Sequence, residues 1–194
     1  MKRAVKSRPA AMGSIRIIAG RWRGRKLPVL DLEGLRPTTD RTRETLFNWL
    51  APHVTDCCCL DGFAGSGGLG FEALSRHAKS VLFVEKDQRA ARLIEDNVRL
   101  LGVNNEQARV LNCPLQSFLS QTTERFDLVF LDPPFFQNLL QDCVDLLDSK
   151  ALLNPGALIY LETEPGLSPQ LPATWSLFKQ KQTGQVNYRL YQYQ

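Results

Sequence analysis

The sequence predicts an α/β fold: a mixed, mostly parallel seven-stranded sheet with helices on both faces, preceded by a small basic β-hairpin and helix. Three observations predict it. From residue 57 onward, short apolar runs alternate with amphipathic segments. The runs are near-continuously apolar, as strands covered on both faces are. The last segment, WSLFKQKQTGQVNYRLYQYQ, holds two alternating stretches around Thr-Gly, the pattern of a closing antiparallel hairpin. At 194 residues and 43% hydrophobic content, the chain can bury one core and carry an appendage.

Taken in order, residues 1–13 read as a disordered basic tail. IRII and RKLPVL alternate basic and apolar residues around a Gly/Trp turn and predict a two-stranded element over 15–30. LRPTTDRTRETLFNWLAP predicts a helix over 39–50, capped by Thr39 or Asp40 and followed by Pro52. Its buried face is Leu46, Phe47, Trp49 and Leu50, with Arg36, Arg41 and Arg43 at its start on the other side. CCCLDGF is the first strand of the sheet and GGLGFEALSRHA the helix after it. SVLFVEKD is the second strand, and QRAARLIEDNVRLLG an amphipathic helix stopped by Gly102. ARVLN is the third strand, with a short helix over 115–121. FDLVFLD is the fourth, NLLQDCVDLLDS a helix, and ALIYLE the fifth. The expected organisation is a tail, 1–13, a basic hairpin-plus-helix extension, 14–52, and the α/β domain, 53–194.

Charge is unevenly spread. Residues 1–43 carry twelve Lys/Arg against three acids, a balance of +9, and the remainder has a balance of −5. A basic arm ahead of an acidic globule is the footprint of a polyanionic partner. A solubilising tail would account for residues 1–13 but not for arginines interleaved with strand residues in IRIIAGRWRGRKL. No apolar run reaches the roughly 18 residues of a membrane span, and no apolar segment follows the basic start as in a secretory signal. A cytoplasmic chain with no membrane association is expected. The cysteines, Cys57, Cys58, Cys59, Cys113 and Cys143, lack any CxxC pair or matched histidine spacing, so neither a metal nor a disulfide framework is expected. His53 and His77 fall near helix ends and read as solvated.

In open parallel sheets, ligands bind outside the carboxyl ends of the strands. Three elements fall there. DGFAGSGGLG follows the first strand, and Gly65, Gly67 and Gly70 match the G-x-G-x-x-G pattern of nucleotide-binding turns. Glu85 ends the second strand, where a carboxylate accepts both hydroxyls of a ribose. Asp61 separates the possible ligands. A pyrophosphate beside it would be repelled, whereas the ammonium and sulfonium of S-adenosylmethionine would be stabilised.

The third element is Asp132-Pro133-Pro134-Phe135. The lone pair of a nucleobase exocyclic amine is delocalised into its ring. A carboxylate and a backbone carbonyl that accept its two N–H bonds localise that pair, and the carboxylate stabilises the positive charge that develops during methyl transfer. Two prolines fix the loop and aim the Pro133 carbonyl, and Phe135 offers a stacking face.

DPPF is similar to the (D/N)PP(Y/F/W) motif of amino-methyltransferases. Together with IRIIAGRWRGRKL, LRPTTDRTRETLFNWL and LDGFAGSGGLG, it resembles the RsmD family of bacterial 16S rRNA guanine methyltransferases, from about residue 14 to the C-terminal GQVNYRLYQ. The resemblance implies a Rossmann-like class I methyltransferase fold. It also implies transfer of one methyl group from S-adenosylmethionine to the 2-amino group of a guanine in 16S rRNA, on an assembled or nearly assembled 30S particle. It assigns the donor to Asp61, Phe63, Gly65, Gly67, Glu85, Lys86, Asn112 and Asp132, and the guanine to Asp132, Pro133, Pro134 and Phe135. Arg16, Arg21, Arg23, Arg25, Arg36, Arg41 and Arg43 would face RNA. Pro114 stands where relatives carry a polar residue near the donor's adenine, which leaves Asn112, Gln116 or a backbone amide for that contact. No metal is implied, and nothing in the chain demands more than a monomer.

Other readings stay open on the residues alone. A nicotinamide oxidoreductase would use the glycine turn and Glu85 but not DPPF. A non-catalytic RNA-binding module would explain the arm but not Asp61 or Asp132. An adenine-N6 methyltransferase acting on DNA or RNA would use the same loop chemistry.

Overall fold

The computed structural model of the chain describes residues 12–30, 40–134, 139–167, 169–184 and 186–194. Phe135 and Arg36, both assigned roles above, lie outside them, as do Thr39 and residues 1–11 of the expected tail.

The extension opens with an antiparallel hairpin of β1 (Met12–Arg16) and β2 (Lys26–Leu30). Met12 and Gly13, expected in the tail, belong to β1 and pair with Leu30 and Val29. α1 (Asp40–Leu50) follows, burying Leu46, Phe47 and Leu50. The sheet domain then runs β3 (Cys58–Asp61), α2 (Gly68–Ser75), β4 (Ser80–Val84), α3 (Gln88–Leu101), β5 (Ala108–Leu111), α4 (Leu115–Gln121), β6 (Phe126–Leu131), α5 (Leu139–Ser149), β7 (Leu153–Thr163), β8 (Trp175–Thr183) and β9 (Val186–Tyr193).

The seven-stranded sheet has the order β5-β4-β3-β6-β7-β9-β8. The first five of these strands are mutually parallel, and β9 pairs antiparallel with both β7 and β8. The order reverses direction at β3, so a crevice opens between the carboxyl ends of β3 and β6.

The helix ends follow local chemistry. Asp87 caps α3, accepting from the amides of Arg89 and Ala90, and Gly102 ends it in the left-handed region at φ 67°. Two cores result. One face of the sheet packs on α1, α2, α3 and the hairpin through residues such as Phe47, Phe71, Ile94, Phe130 and Tyr160. The other packs on α4 and α5 through Leu119, Cys143, Leu147, Val129 and Leu161. Of the three cysteines in the apolar run, only Cys59 is buried; Cys57 and Cys58 are half-buried.

The extension is fastened to α2 by one acid. Glu72 is fully buried, and its carboxylate accepts from the amides of Ile18 (2.8 Å) and Ala19 (3.1 Å) and from Arg76 Nε (2.8 Å). Ser75 Oγ accepts from the Trp22 amide at 3.0 Å and donates to the Ala19 carbonyl at 2.6 Å. Gly20, at φ 81°, has no room for a Cβ, which would lie 1.9 Å from the Ser75 carbonyl oxygen. The hairpin turn is thereby pressed against the last turn of α2.

Candidate active site

Asp61 is the last residue of β3 and is 3% exposed. It faces the α1–α2 side of the sheet, since Cys59, two residues back, packs in that core. One carboxylate oxygen accepts from the Gly70 amide at 2.9 Å. That amide lies in the first turn of α2, whose own cap, Gly67, offers no side chain. Asp61 therefore caps α2 from outside the helix. Burial, together with the carboxylates of Asp132 and Glu85, pushes its carboxyl up from 3.8 to about 7 despite the Gly70 hydrogen bond. A buried acid held short of ionisation among other acids is a site for a cation.

The glycine turn has the conformation its sequence suggested. Gly65 and Gly67 adopt φ 53° and 74°, which side chains beyond glycine rarely tolerate. Gly70 serves packing instead: a Cβ there would lie 2.2 Å from Phe83. Glu85 immediately follows β4 and braces the turn, accepting from the Gly65 amide at 2.7 Å and from the Asp87 amide at 2.7 Å. Each oxygen spends one acceptor site on these bonds and retains another, enough for a pair of hydroxyls. Asn112, just past β5, donates through Nδ2 to the carbonyls of Glu85 (2.8 Å) and Lys86 (3.0 Å), tying the ends of β4 and β5 together. Lys86 itself is exposed. Gln116 turns away to the Leu139 carbonyl at 3.5 Å. Phe63 packs against the α4–α5 core, on the far side of the sheet from Asp61. A small cleft beside the turn is lined by Gly65, Ser66 and Ile94 with Val29 and Leu30 of β2, so the hairpin supplies one of its walls.

Asp132 follows β6 directly and is half-buried; Pro133 is buried and Pro134 half-buried. Asp132 shares the face of Asp61, because Phe130 packs in the same core. The structure adds a fourth acid that sequence reasoning passed over. Glu162, near the end of β7, is 7% exposed and accepts from the Tyr160 hydroxyl at 3.0 Å. Burial and the Asp132 carboxylate push its carboxyl up to about 8. The available signal was an acid closing an apolar strand, ALIYLE, as Asp61 and Asp132 close theirs. Asp61, Glu85 and Asp132 thus meet at adjacent carboxyl ends of the sheet, with Glu162 behind Asp132.

The arginines divide. Arg21, Arg23 and Arg25 are exposed around the hairpin turn, Arg21 stacking over Trp22 at 5.1 Å. Arg16 and Arg41 are also exposed, and Arg16 lies 3.7 Å from Asp40. Arg43 does not face outward as expected. It is 3% exposed, and its Nη2 donates to the Arg16 carbonyl (2.8 Å) and to Asp40 Oδ1 (2.5 Å). Its position, three and four residues before Leu46 and Phe47, lies on the buried stripe of α1, where Asp40 balances its charge and the Arg16 carbonyl takes a second hydrogen bond. Its Nη1 would lie 3.4 Å from a Cβ on Gly68, beside the glycine turn. Arg43 joins hairpin, helix and turn rather than offering a surface to RNA.

Among the described residues, no group of three or more His, Cys, Asp or Glu side chains is arranged to hold a metal ion. No described helix is long and apolar enough to cross a membrane.

Comparison with known proteins agrees with this architecture. The family profile described as conserved hypothetical protein 95 matches residues 15–192. Ribosomal RNA small subunit methyltransferase D of Haemophilus influenzae is 55% identical over 186 residues, covering 95% of this chain and 96% of that protein. Its counterpart in Escherichia coli strain K12 is 53% identical over 182 residues, with 93% and 90% covered. The solved structure of a putative methyltransferase from Escherichia coli superposes with a TM-score of 0.86 at 51% identity, covering 94% of this chain and 99% of that one. A 16S rRNA N2 methyltransferase from Thermus thermophilus, solved with AdoMet and guanosine, shares the fold at a TM-score of 0.72 and 20% identity, over all of this chain and 53% of its own. The extent and identity of these matches, on a Rossmann-like sheet with its acids gathered at one end, place this chain in the family of ribosomal RNA small subunit methyltransferase D.

Proposed function

We propose that the chain transfers one methyl group from S-adenosylmethionine to the exocyclic 2-amino group of a guanine in 16S rRNA, within an assembled or nearly assembled 30S particle. The observation that carries the reading is the meeting of Asp61, Glu85 and Asp132 at neighbouring strand ends, in a chain whose relatives are named as small-subunit rRNA methyltransferases. The residues fit the donor by their chemistry. The buried carboxylate of Asp61 suits an ammonium or sulfonium. Glu85 suits the ribose hydroxyls, the backbone at Gly65 and Gly67 permits close approach, and Asn112, fixed beside Glu85, is the polar group closest in sequence to the expected adenine contact. When bound, the donor supplies an electrophilic methyl group.

The protein's part in the reaction is positioning and charge. Asp132 and the Pro133 carbonyl accept the two N–H bonds of the amine, localising its lone pair toward the methyl carbon. The N–C bond forms as the C–S bond breaks, with its electrons left on sulfur, and Asp132 receives the proton the nitrogen must release. The buried Pro133 holds that carbonyl still. Exposed Arg16, Arg21, Arg23, Arg25 and Arg41 supply phosphate contacts. The RNA-stacking role of Phe135 and the phosphate role of Arg36 belong to this reading as well.

The test offers radiolabelled S-adenosylmethionine with unmodified 30S particles, protein-free 16S rRNA and duplex DNA, followed by digestion to nucleosides. Label in 2-methylguanosine from particles is expected, and Asp132→Ala abolishes it while retaining donor binding. Label in an N-methyladenine nucleoside would overturn the base assignment. Substantial turnover by Asp132→Ala would remove the carboxylate from the centre of the chemistry.

A further inference from the structure

Glu162 is a buried acid with no part in the steps above. Leu131 and Leu161 are register partners on the parallel strands β6 and β7. The next residues, Asp132 just past the end of β6 and Glu162 within β7, stand side by side toward the same face, close enough for the Asp132 carboxylate to act on Glu162. That face is the α1 side, where Phe130 and Tyr160, two residues earlier, pack edge to face with centroids 6.5 Å apart. Tyr160 is fully buried and donates its hydroxyl to Glu162 Oε2. A leucine at this place would pack without the desolvation cost of an acid, and tyrosine would need no acceptor if it were phenylalanine. The pair of polar groups is instead aimed at the residue that the proposed mechanism requires to be held in one orientation.

The neighbours define its protonation. Asp132 faces it from β6, and Asp61 lies beyond at the end of β3. Tyr188 is its register partner on β9. Thr42 of α1 donates to the Tyr188 hydroxyl at 3.1 Å, as does Thr183 of β8, and neither brings charge. None of these groups is cationic, and burial with the adjacent Asp132 carboxylate makes Glu162 hold its proton more tightly than a free acid does.

We infer that Glu162, supported by Tyr160, is a positioning residue for Asp132: while protonated, it donates a hydrogen bond to the neighbouring carboxylate and holds it turned toward the target amine. This rests on the reading of Asp132 as the group that receives that amine.

The experiment uses the full chain with 30S particles and measures kcat, KM and donor affinity from pH 6 to 9.5 for wild type, Glu162→Gln, Glu162→Leu and Tyr160→Phe. Wild-type kcat falls on the alkaline side as Glu162 loses its proton above about pH 8. Glu162→Gln keeps an N–H donor at every pH, so it retains kcat within about threefold and loses that fall. Glu162→Leu lowers kcat by about 10²-fold with KM and donor affinity unchanged, the scale of a misplaced catalytic group. Tyr160→Phe lowers it less.

A second readout needs no substrate: the titration of the Asp132 carboxyl carbon followed by NMR on aspartate-labelled protein. It moves up by about one pH unit in Glu162→Leu and stays near wild type in Glu162→Gln, because a hydrogen bond to the charged form favours that form. An unmoved Asp132 titration in Glu162→Leu overturns the inference, as does an alkaline fall retained in Glu162→Gln. If Glu162→Leu does not fold, the Glu162→Gln profile and the Tyr160→Phe titration decide. Absence of methyl transfer by the wild type, with the Asp132 titration behaving as stated, would instead refute the functional reading and leave only the hydrogen bond from Glu162 to Asp132 standing, without its role toward an amine.

Discussion

Replacing Asp61 with asparagine should make the protein more stable and useless at once. Asparagine is nearly isosteric and its Oδ1 can still accept from the Gly70 amide, so the outside cap on α2 survives. What disappears is the cost of ionising a buried acid. In the unfolded chain this carboxyl titrates near 3.8; in the folded chain it titrates near 7. Below pH 3.8 both states hold the proton and the group contributes nothing. Between those values the native state keeps a proton that the unfolded state has released, so stability falls as pH rises, and above about 7 the penalty is complete. At 1.36 kcal/mol for each tenfold change in proton affinity, the full penalty is on the order of 4 kcal/mol, and ~1.5 kcal/mol of it has accrued by pH 5. Urea unfolding of donor-free wild type and Asp61→Asn at pH 5 and pH 8 reads this directly. The stability difference between the two proteins should widen by ~3 kcal/mol between those pH values, in favour of Asp61→Asn. Donor binding should be lost in the same variant, and donor binding to wild type should release protons near pH 7. A difference that stays constant with pH, or one that favours wild type at pH 8, would refute the claim that Asp61 is held against its own ionisation.

Gly70→Ala forces a methyl group into Phe83 and should destabilise by ~2 kcal/mol in the same assay. Glu72→Ala leaves two backbone amides and Arg76 without their acceptor and should cost ~3 kcal/mol, with the hairpin amides of Ile18 and Ala19 losing hydrogen-exchange protection first. Arg21→Glu with Arg23→Glu should weaken RNA binding and flatten its salt dependence by about two counterions, leaving donor affinity unchanged; RNA affinity equal to wild type would remove the arm from the interface.

What was readable in the sequence was what depends on neighbours along the chain. The strand-end acids Asp61 and Asp132 each carry their own punctuation, a glycine turn and a proline pair, so their place at the carboxyl ends of the strands followed from local rules. Glu162 carries none. Its meaning comes from Asp132, thirty residues earlier, through the register of two strands that no local pattern encodes. Arg43 failed differently. The stripe of Leu46, Phe47 and Leu50 extends back to position 43, but a charge was expected outside, and the Arg16 carbonyl and Asp40 carboxylate that take its guanidinium explain its burial. Met12 and Gly13 gained strand structure from Leu30 and Val29, partners across the hairpin.

The contact between the hairpin and Glu72 spans 53 and 54 residues of chain. During synthesis the hairpin leaves the ribosome well before the helix that anchors it exists. At about 5–20 residues per second, that interval is roughly 3–10 s. Throughout it, Ile15, Ile17 and Trp22, later buried, lack the α2 surface that completes their core. The chain thus spends its first seconds with an unsealed hydrophobic leading edge at the mouth of the ribosome that makes it. The dense arginines around that edge give the nascent segment charge repulsion against its own copies while it waits.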